Sequence, residues 1–454
     1  MSDSLGKPEA KPPRPWTTWL CAGLVGALAV AVFGHDLGSE PHFADESAYI
    51  SQSYFADLLL VGQWNSPAWL TYPARDLPPL PKYLIGGALK LRGYPLPGPS
   101  AARAWYMDIN ARCETDEMLE VARRPMVILG AAGCVAIFAL GTMVGGRRVG
   151  VLAALLLMVN PLYKMQARRA MSDVPAEAFI LASAAVFLWA WQRAIARERI
   201  QPPWLAAAAI VSGVFAGLAT LSKLNGALAL LIIAAWVVLT ASLPRVAIRA
   251  KIAIGVAAMV TGIAAALTFF ELNPYLTAQL EVRRLGGNQP IAQIAAMSPW
   301  GRARAMLELR LNVPLDQQKV FPNYALTSPT AKIEAVVVQG FGRFGPFGPA
   351  HSDSTKRFDW NQDRGALIWL PWVVLGAIWA ASRGRRQFRA GEPTTSWAIL
   401  LQAIVALATV TAFIPLAWDR YYLSLQPGSA LFAAGVAVAA LDSLVGRILR
   451  QRGA

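Results

Sequence analysis

Ten apolar runs, most of them near the length of a bilayer crossing, recur along this chain and restrict its fold more than any other feature. A helix bonds its backbone groups internally and so can cross the hydrocarbon core, which takes about 20 apolar residues. The runs are 16–34, 125–145, 149–162, 174–192, 204–221, 225–242, 252–272, 365–381, 396–416 and 426–444. The third is short and ends at Asn160-Pro161, so it either crosses within a bundle or inserts halfway. With 55% hydrophobic and 15% charged residues, the chain reads as an all-α polytopic membrane protein and not as two or three soluble domains.

A net charge of +15 would suit nucleic acid, but the Lys and Arg fall in short clusters between apolar runs, which is how topology is fixed in a bilayer. No nucleic-acid partner is expected. Placing the N-terminus in the cytoplasm makes every second loop basic: Arg147 and Arg148; Arg193, Arg197 and Arg199; Arg245, Arg249 and Lys251; Arg383, Arg385, Arg386 and Arg389; and Arg447, Arg450 and Arg452. The expected organisation is a cytoplasmic tail at 1–15, one membrane domain at 16–444 and a cytoplasmic tail at 445–454. Lys7, Lys11 and Arg14 precede the first run, and no small-residue cleavage site follows at Phe33-Gly34-His35, so the first span reads as uncleaved. Cys21, Cys113 and Cys134 have no metal or disulfide spacing.

The opposite face receives two long loops, 35–124 and 273–364, with short turns near 163–173, 223 and 417–424. Residues 47–61 and 80–91 carry apolar positions at helical spacing and suit amphipathic helices lying along the membrane surface. Helices are expected at 299–312 and 329–339, while the run Gly340 to Pro349 should be neither regular helix nor strand. No internal repeat is evident.

Chemistry concentrates on that face. Asp45 and Glu46 follow the first span, where a carboxylate can accept a proton from a hydroxyl or amine nucleophile; Asp45 would equally serve as a helix cap. Asp173, in Arg168-Arg169-Ala170-Met171-Ser172-Asp173, stands at the same depth and has the same two readings. Lys164, Arg168, Arg169, Lys223 and Arg420 are outer-face cations that topology does not favour and that an anion such as a phosphate would explain. Arg420 could instead be neutralised by Asp419 in an aromatic belt, and Lys223 could simply snorkel. His42 and His351 are lone histidines; a divalent metal on Asp45, Glu46 and His42 stays open, without defined spacing. Trp64, Trp69, Trp105, Trp300 and Trp360 suit interfacial anchoring better than sugar stacking. No nucleotide-binding fingerprint or serine-hydrolase elbow occurs.

Together these motifs resemble the GT-C membrane glycosyltransferases, in particular the group of dolichyl-phosphate-mannose protein mannosyltransferases and aminoarabinose lipid A transferases. The resemblance rests on Asp45-Glu46; on Leu77-Pro78-Pro79-Leu80-Pro81-Lys82; on Ala167 to Asp173; on Gly217 to Gly226; and on Arg420 to Pro427. It implies an inverting glycosyltransferase whose donor is a sugar on a polyprenyl phosphate. Asp45 would activate the acceptor, with Glu46 and Asp173 beside it, and Arg420, Lys223, Arg168, Arg169 and Lys82 would hold the phosphate. Leu77 stands where the family often has His before the Pro pair, which weakens a polar role for that loop. The acceptor would be a cell-envelope lipid, glycan or protein. The soluble domain of eukaryotic members is not expected, so the expected location is a bacterial inner membrane with the active site facing the periplasm. A secondary transporter or flippase of a lipid-linked or small polar substrate is the rival reading, although such proteins usually show repeats and broken helices. A non-catalytic scaffold is a third.

Overall fold

A computed structural model describes residues 15–196, 201–280, 289–348 and 364–452. The tail residues Lys7, Lys11 and Arg14, and also Arg197, Arg199, Pro349, His351 and Trp360, lie outside the described residues. After α1 (Pro15–Gly34), the first loop carries α2 (Ala44–Ser51), α3 (Phe55–Leu60), α4 (Tyr72–Asp76), α5 (Leu80–Leu91) and α6 (Pro99–Met107). The bundle continues with α7 (Asp116–Gly145), α8 (Arg147–Val159), α9 (Pro161–Ala167), α10 (Asp173–Ala196), α11 (Pro202–Ser222), α12 (Leu228–Ser242) and α13 (Ile248–Glu271). The second loop holds α14 (Pro274–Thr277), α15 (Gln289–Ala296), α16 (Pro299–Val320) and α17 (Pro329–Glu334). Last come α18 (Gly365–Ala390), α19 (Thr395–Phe413) and α20 (Gln426–Arg452).

Among the described residues nine helices are long and apolar enough to cross a membrane, and the pair α8–α9 makes a tenth if counted as one span. That pair is bent by 70°. The break follows from Asn160-Pro161: Asn160 Oδ1 accepts from the Tyr163 amide at 2.9 Å and so starts a new helix at Pro161. At about 1.5 Å per residue α8 alone is roughly 20 Å long, short of the ~30 Å core. It is held by close packing on α7, where a Cβ on Gly141 would meet Gly150 Cα at 2.7 Å.

The apolar runs divide by environment. Trp19, Leu24 and Leu28 of α1 and Ile252, Val256, Met259 and Ile263 of α13 face outward, as lipid contact allows. Phe33, Cys134, Ile137, Trp191 and Trp236 pack inside. The buried indoles are satisfied, Trp191 by Thr240 Oγ1 and Trp236 by the Ala398 carbonyl, each at 2.7 Å. At the end of the bundle where the basic loops meet, Arg245 donates to the carbonyls of Phe388 and Arg389, Arg148 pairs with Asp442, and Arg383 donates to the Val144 carbonyl.

The loops depart from expectation in three places. Residues 47–61 are not one helix: α2 and α3 are separated at Gln52–Tyr54, where Gly86 of α5 packs so close that a Cβ would meet the Ser53 carbonyl oxygen at 2.5 Å. Neither does α2 lie on a surface, since Glu46, Ser47, Ala48, Tyr49, Ile50 and Ser51 are all buried. Helix α16 runs past 312 to Val320, and residues Ala335–Arg343 form a π-helical turn that carries Gly340 to Arg343 before the helix ends at Phe344. The wide turn is closed by the Phe344 amide donating to the Gln339 carbonyl at 2.9 Å. Helix α5, at Leu80–Leu91, matches its expected bounds.

Candidate active site

Helix α2 is fastened on two sides. Glu46 takes a bidentate pair from Arg123 of α7, with Nε–Oε1 at 2.8 Å and Nη2–Oε2 at 2.7 Å, and accepts from the amides of Phe43 at 3.0 Å and Ala170 at 2.7 Å. Tyr49 then donates to Ser172 Oγ at 2.7 Å. Burial, reinforced by Asp173, holds the Tyr49 phenol above its ordinary pKa, so it stays a donor. These bonds tie α2 to the segment leading into α10. Asp45 and Asp173, distant in sequence, consequently line one cavity of about 860 Å³.

Four acid–base pairs stand around that cavity. Asp45 Oδ2 is ion-paired with Arg420, whose guanidinium carbon lies 4.9 Å from the Trp418 ring centroid and 5.8 Å from that of Tyr421. Asp173 Oδ1 takes Lys223 Nζ at 2.6 Å, and that nitrogen is 5.9 Å from the same Tyr421 ring. Arg169 reaches Asp419 at 3.7 Å and lies 4.6 Å over the Phe43 ring. Arg310 of α16 reaches Asp76 at 3.3 Å. Apolar wall is supplied by Leu77, Ile109, Met165, Met171, Val313 and Phe344. Lys223 owes its place to the turn Leu224–Ala227, which folds back so tightly that a Cβ on Gly226 would meet the Ala219 carbonyl carbon at 2.1 Å.

The remaining expected site residues face elsewhere. Glu46 is fully buried and supplies the reciprocal cap bond to Phe43, so capping falls to it and Asp45 keeps its carboxylate for the cavity. Arg168 donates to the carbonyls of Phe33, His35 and Asp36, bracing the end of α1 instead of facing the cavity. Lys82 is buried and donates to the carbonyls of Pro73 at 2.8 Å and Leu77 at 2.6 Å; burial holds its pKa well below the lysine range. His42 meets Ser47 Oγ at 2.9 Å and Glu114 Oε1 at 3.2 Å. Asp45, Glu46 and His42 therefore turn to three different partners and do not converge as metal ligands. Among the described residues no group of three or more His, Cys, Asp or Glu is placed to hold a metal.

Sequence reasoning missed Arg123, Glu114, Asp76 and Arg310. Arg310 carried a usable signal, a cation in a long loop on the face opposite the basic clusters, where the expected topology does not favour one. The others did not, because nothing in their neighbourhood marks a partner many residues away.

The family described as dolichyl-phosphate-mannose-protein mannosyltransferase matches residues 71–273, less than half of the chain. ArnT from Cupriavidus metallidurans, solved bound to undecaprenyl phosphate, superposes with TM-score 0.50 and 15% identity over 92% of this chain and 60% of its own. The oligosaccharyltransferase AglB from Archaeoglobus fulgidus, solved with an inhibitory peptide and a dolichol-phosphate, gives TM-score 0.55 and 16% identity over 96% and 52%. No curated protein sequence matches. The chain has the GT-C fold of membrane glycosyltransferases and is similar to their protein mannosyltransferase and aminoarabinose transferase group. It spans roughly half to three fifths of the length of these solved structures.

Proposed function

We propose that this protein is an inverting glycosyltransferase that moves a sugar from a polyprenyl-phosphate donor to a cell-envelope acceptor on the non-cytoplasmic face of the membrane. The observation that carries this reading is the convergence of Asp45 with Arg420 and Lys223 in one cavity whose wall is partly apolar. The polyprenyl tail lies among the spans, and its phosphate meets Arg420 and Lys223, both of which lie against Tyr421. Asp45 takes the proton from the acceptor hydroxyl or amine as that atom bonds to the anomeric carbon. The bond from this carbon to the phosphate oxygen breaks, and the charge of the departing polyprenyl phosphate rests on the two cations. One displacement inverts the anomeric configuration.

Asp45 is paired to Arg420, so the phosphate must draw Arg420 away before the carboxylate can act as base. Purified protein in liposomes, given a radiolabelled polyprenyl-phosphate sugar and a membrane-fraction acceptor, should release polyprenyl phosphate, and Asp45→Asn should stop the release. Movement of the donor across the bilayer without sugar transfer would replace this reading with a transporter.

A further inference from the structure

Of the four cavity cations, Arg169 and Arg310 are not assigned to the donor phosphate, and Arg169, 8% exposed, is enclosed between Glu40 at 3.5 Å and Asp419 at 3.7 Å. Lys223 and Arg420 both lie against Tyr421, with charged ends 5.9 and 5.8 Å from its ring centroid, and the proposed reaction assigns both to the donor phosphate. Arg310 comes from a different element, the second-loop helix α16, and meets Asp76 of the first loop through a 3.3 Å contact. Asp76 is not dependent on it, because its Oδ2 also accepts from the Tyr106 hydroxyl at 2.8 Å. A guanidinium carries five N–H donors in a planar fork that matches two oxygens of a carboxylate or phosphate, and the Asp76 contact uses one nitrogen. The Arg310 side chain is 27% exposed. Gln317, seven residues on along the same helix, and the rings of Trp105 and Tyr324 line the cavity with it. An amide and aromatic faces of this kind suit sugar hydroxyls and sugar rings.

We infer that Arg310, with Gln317 and these rings, forms the acceptor subsite, and that the acceptor carries an anionic group, phosphate or carboxylate, which Arg310 binds. This assignment rests on the glycosyl-transfer reading, since that reading commits Lys223 and Arg420 to the donor. The test uses the full chain in lipid nanodiscs and calorimetric binding of four probes: glucose, glucuronic acid, glucose 6-phosphate and, in the disc, dioleoyl phosphatidic acid. Undecaprenyl phosphate serves as donor-side reference. At least one anionic probe should bind at least tenfold more tightly than glucose, and which one does separates carboxylate, sugar phosphate and lipid phosphate. Arg310→Gln should erase that preference while undecaprenyl phosphate affinity stays within twofold, which also shows that the variant is folded; Arg420→Gln should do the reverse. An absent anion preference with donor binding intact overturns the assignment alone, as does an Arg310→Gln variant that loses undecaprenyl phosphate as severely as Arg420→Gln. Failure of the wild-type chain to bind undecaprenyl phosphate overturns the donor reading and this assignment with it.

Discussion

Replacing Asp45 by Asn should push two measurements in opposite directions. The Asp45–Arg420 pair is partly shielded, with side chains 23% and 16% exposed. Fully exposed pairs contribute about 0.2–1 kcal/mol and hydrogen bonds to charged groups about 1.5–3 kcal/mol, so this pair falls at roughly 1–2 kcal/mol. A phosphate that recruits Arg420 in the wild-type chain must forfeit that interaction. In Asp45→Asn the competing charge is gone, and undecaprenyl phosphate should bind about 5- to 30-fold more tightly, at roughly 1.4 kcal/mol per tenfold. Sugar transfer should meanwhile fall by about 10²- to 10⁴-fold, the usual worth of a general base. Calorimetric titration in nanodiscs reads the first effect and radiolabelled transfer the second. Equal or weaker lipid-phosphate binding in Asp45→Asn would refute the competition between carboxylate and phosphate, even if transfer were lost.

Four further outcomes follow. Glu46→Gln should destabilise the protein by about 3–5 kcal/mol in thermal unfolding, because it leaves the buried Arg123 guanidinium without its counter-charge. Lys82→Ala should lower stability by about 2–4 kcal/mol by stranding the Pro73 and Leu77 carbonyls, with donor affinity of the folded fraction unchanged. Gly226→Ala must displace the turn packed on Ala219, so it should weaken undecaprenyl phosphate binding by moving Lys223. Partial desolvation and then the neighbouring Glu114 carboxylate, to whose Oε2 Sγ donates at 3.5 Å, raise the thiol pKa of Cys113 even though the residue is exposed, which keeps it protonated and neutral at physiological pH. Its maleimide labelling should accordingly be slow at pH 7 and rise about tenfold per pH unit through pH 10; fast labelling at pH 7 would contradict this.

The spans were legible because a bilayer demands long apolar runs, and the kink at Asn160-Pro161 because Pro ends a helix locally. Pairing across the chain was not. Asp45 and Asp173 could be placed at one depth from their positions relative to the spans, but the bonds that join their elements run from Tyr49 to Ser172 and from the Ala170 amide to Glu46, and none of these residue types announces a partner 123 or 124 positions away. Glu46 and Arg168 looked functional for the same reason that they are structurally useful, namely that a charged group beside a membrane segment needs compensation. Glu46 finds it in Arg123, and Arg168 in the carbonyls at the end of α1. The break between α2 and α3 depends on how close α5 approaches, which no periodicity within 47–61 encodes. Trp69 resembled an interfacial anchor, yet it is buried and donates to the Gln63 carbonyl at 2.9 Å.

A structure of the chain with a non-hydrolysable phosphonate analogue of a polyprenyl-phosphate sugar tests the central proposal most directly. The phosphonate should lie between Lys223 and Arg420 at hydrogen-bonding distance from both, with Arg420 withdrawn from Asp45 and the Asp45 carboxylate facing the side of the anomeric carbon opposite the phosphonate. A phosphonate bound elsewhere, or an Asp45–Arg420 pair left intact beside it, would contradict the account.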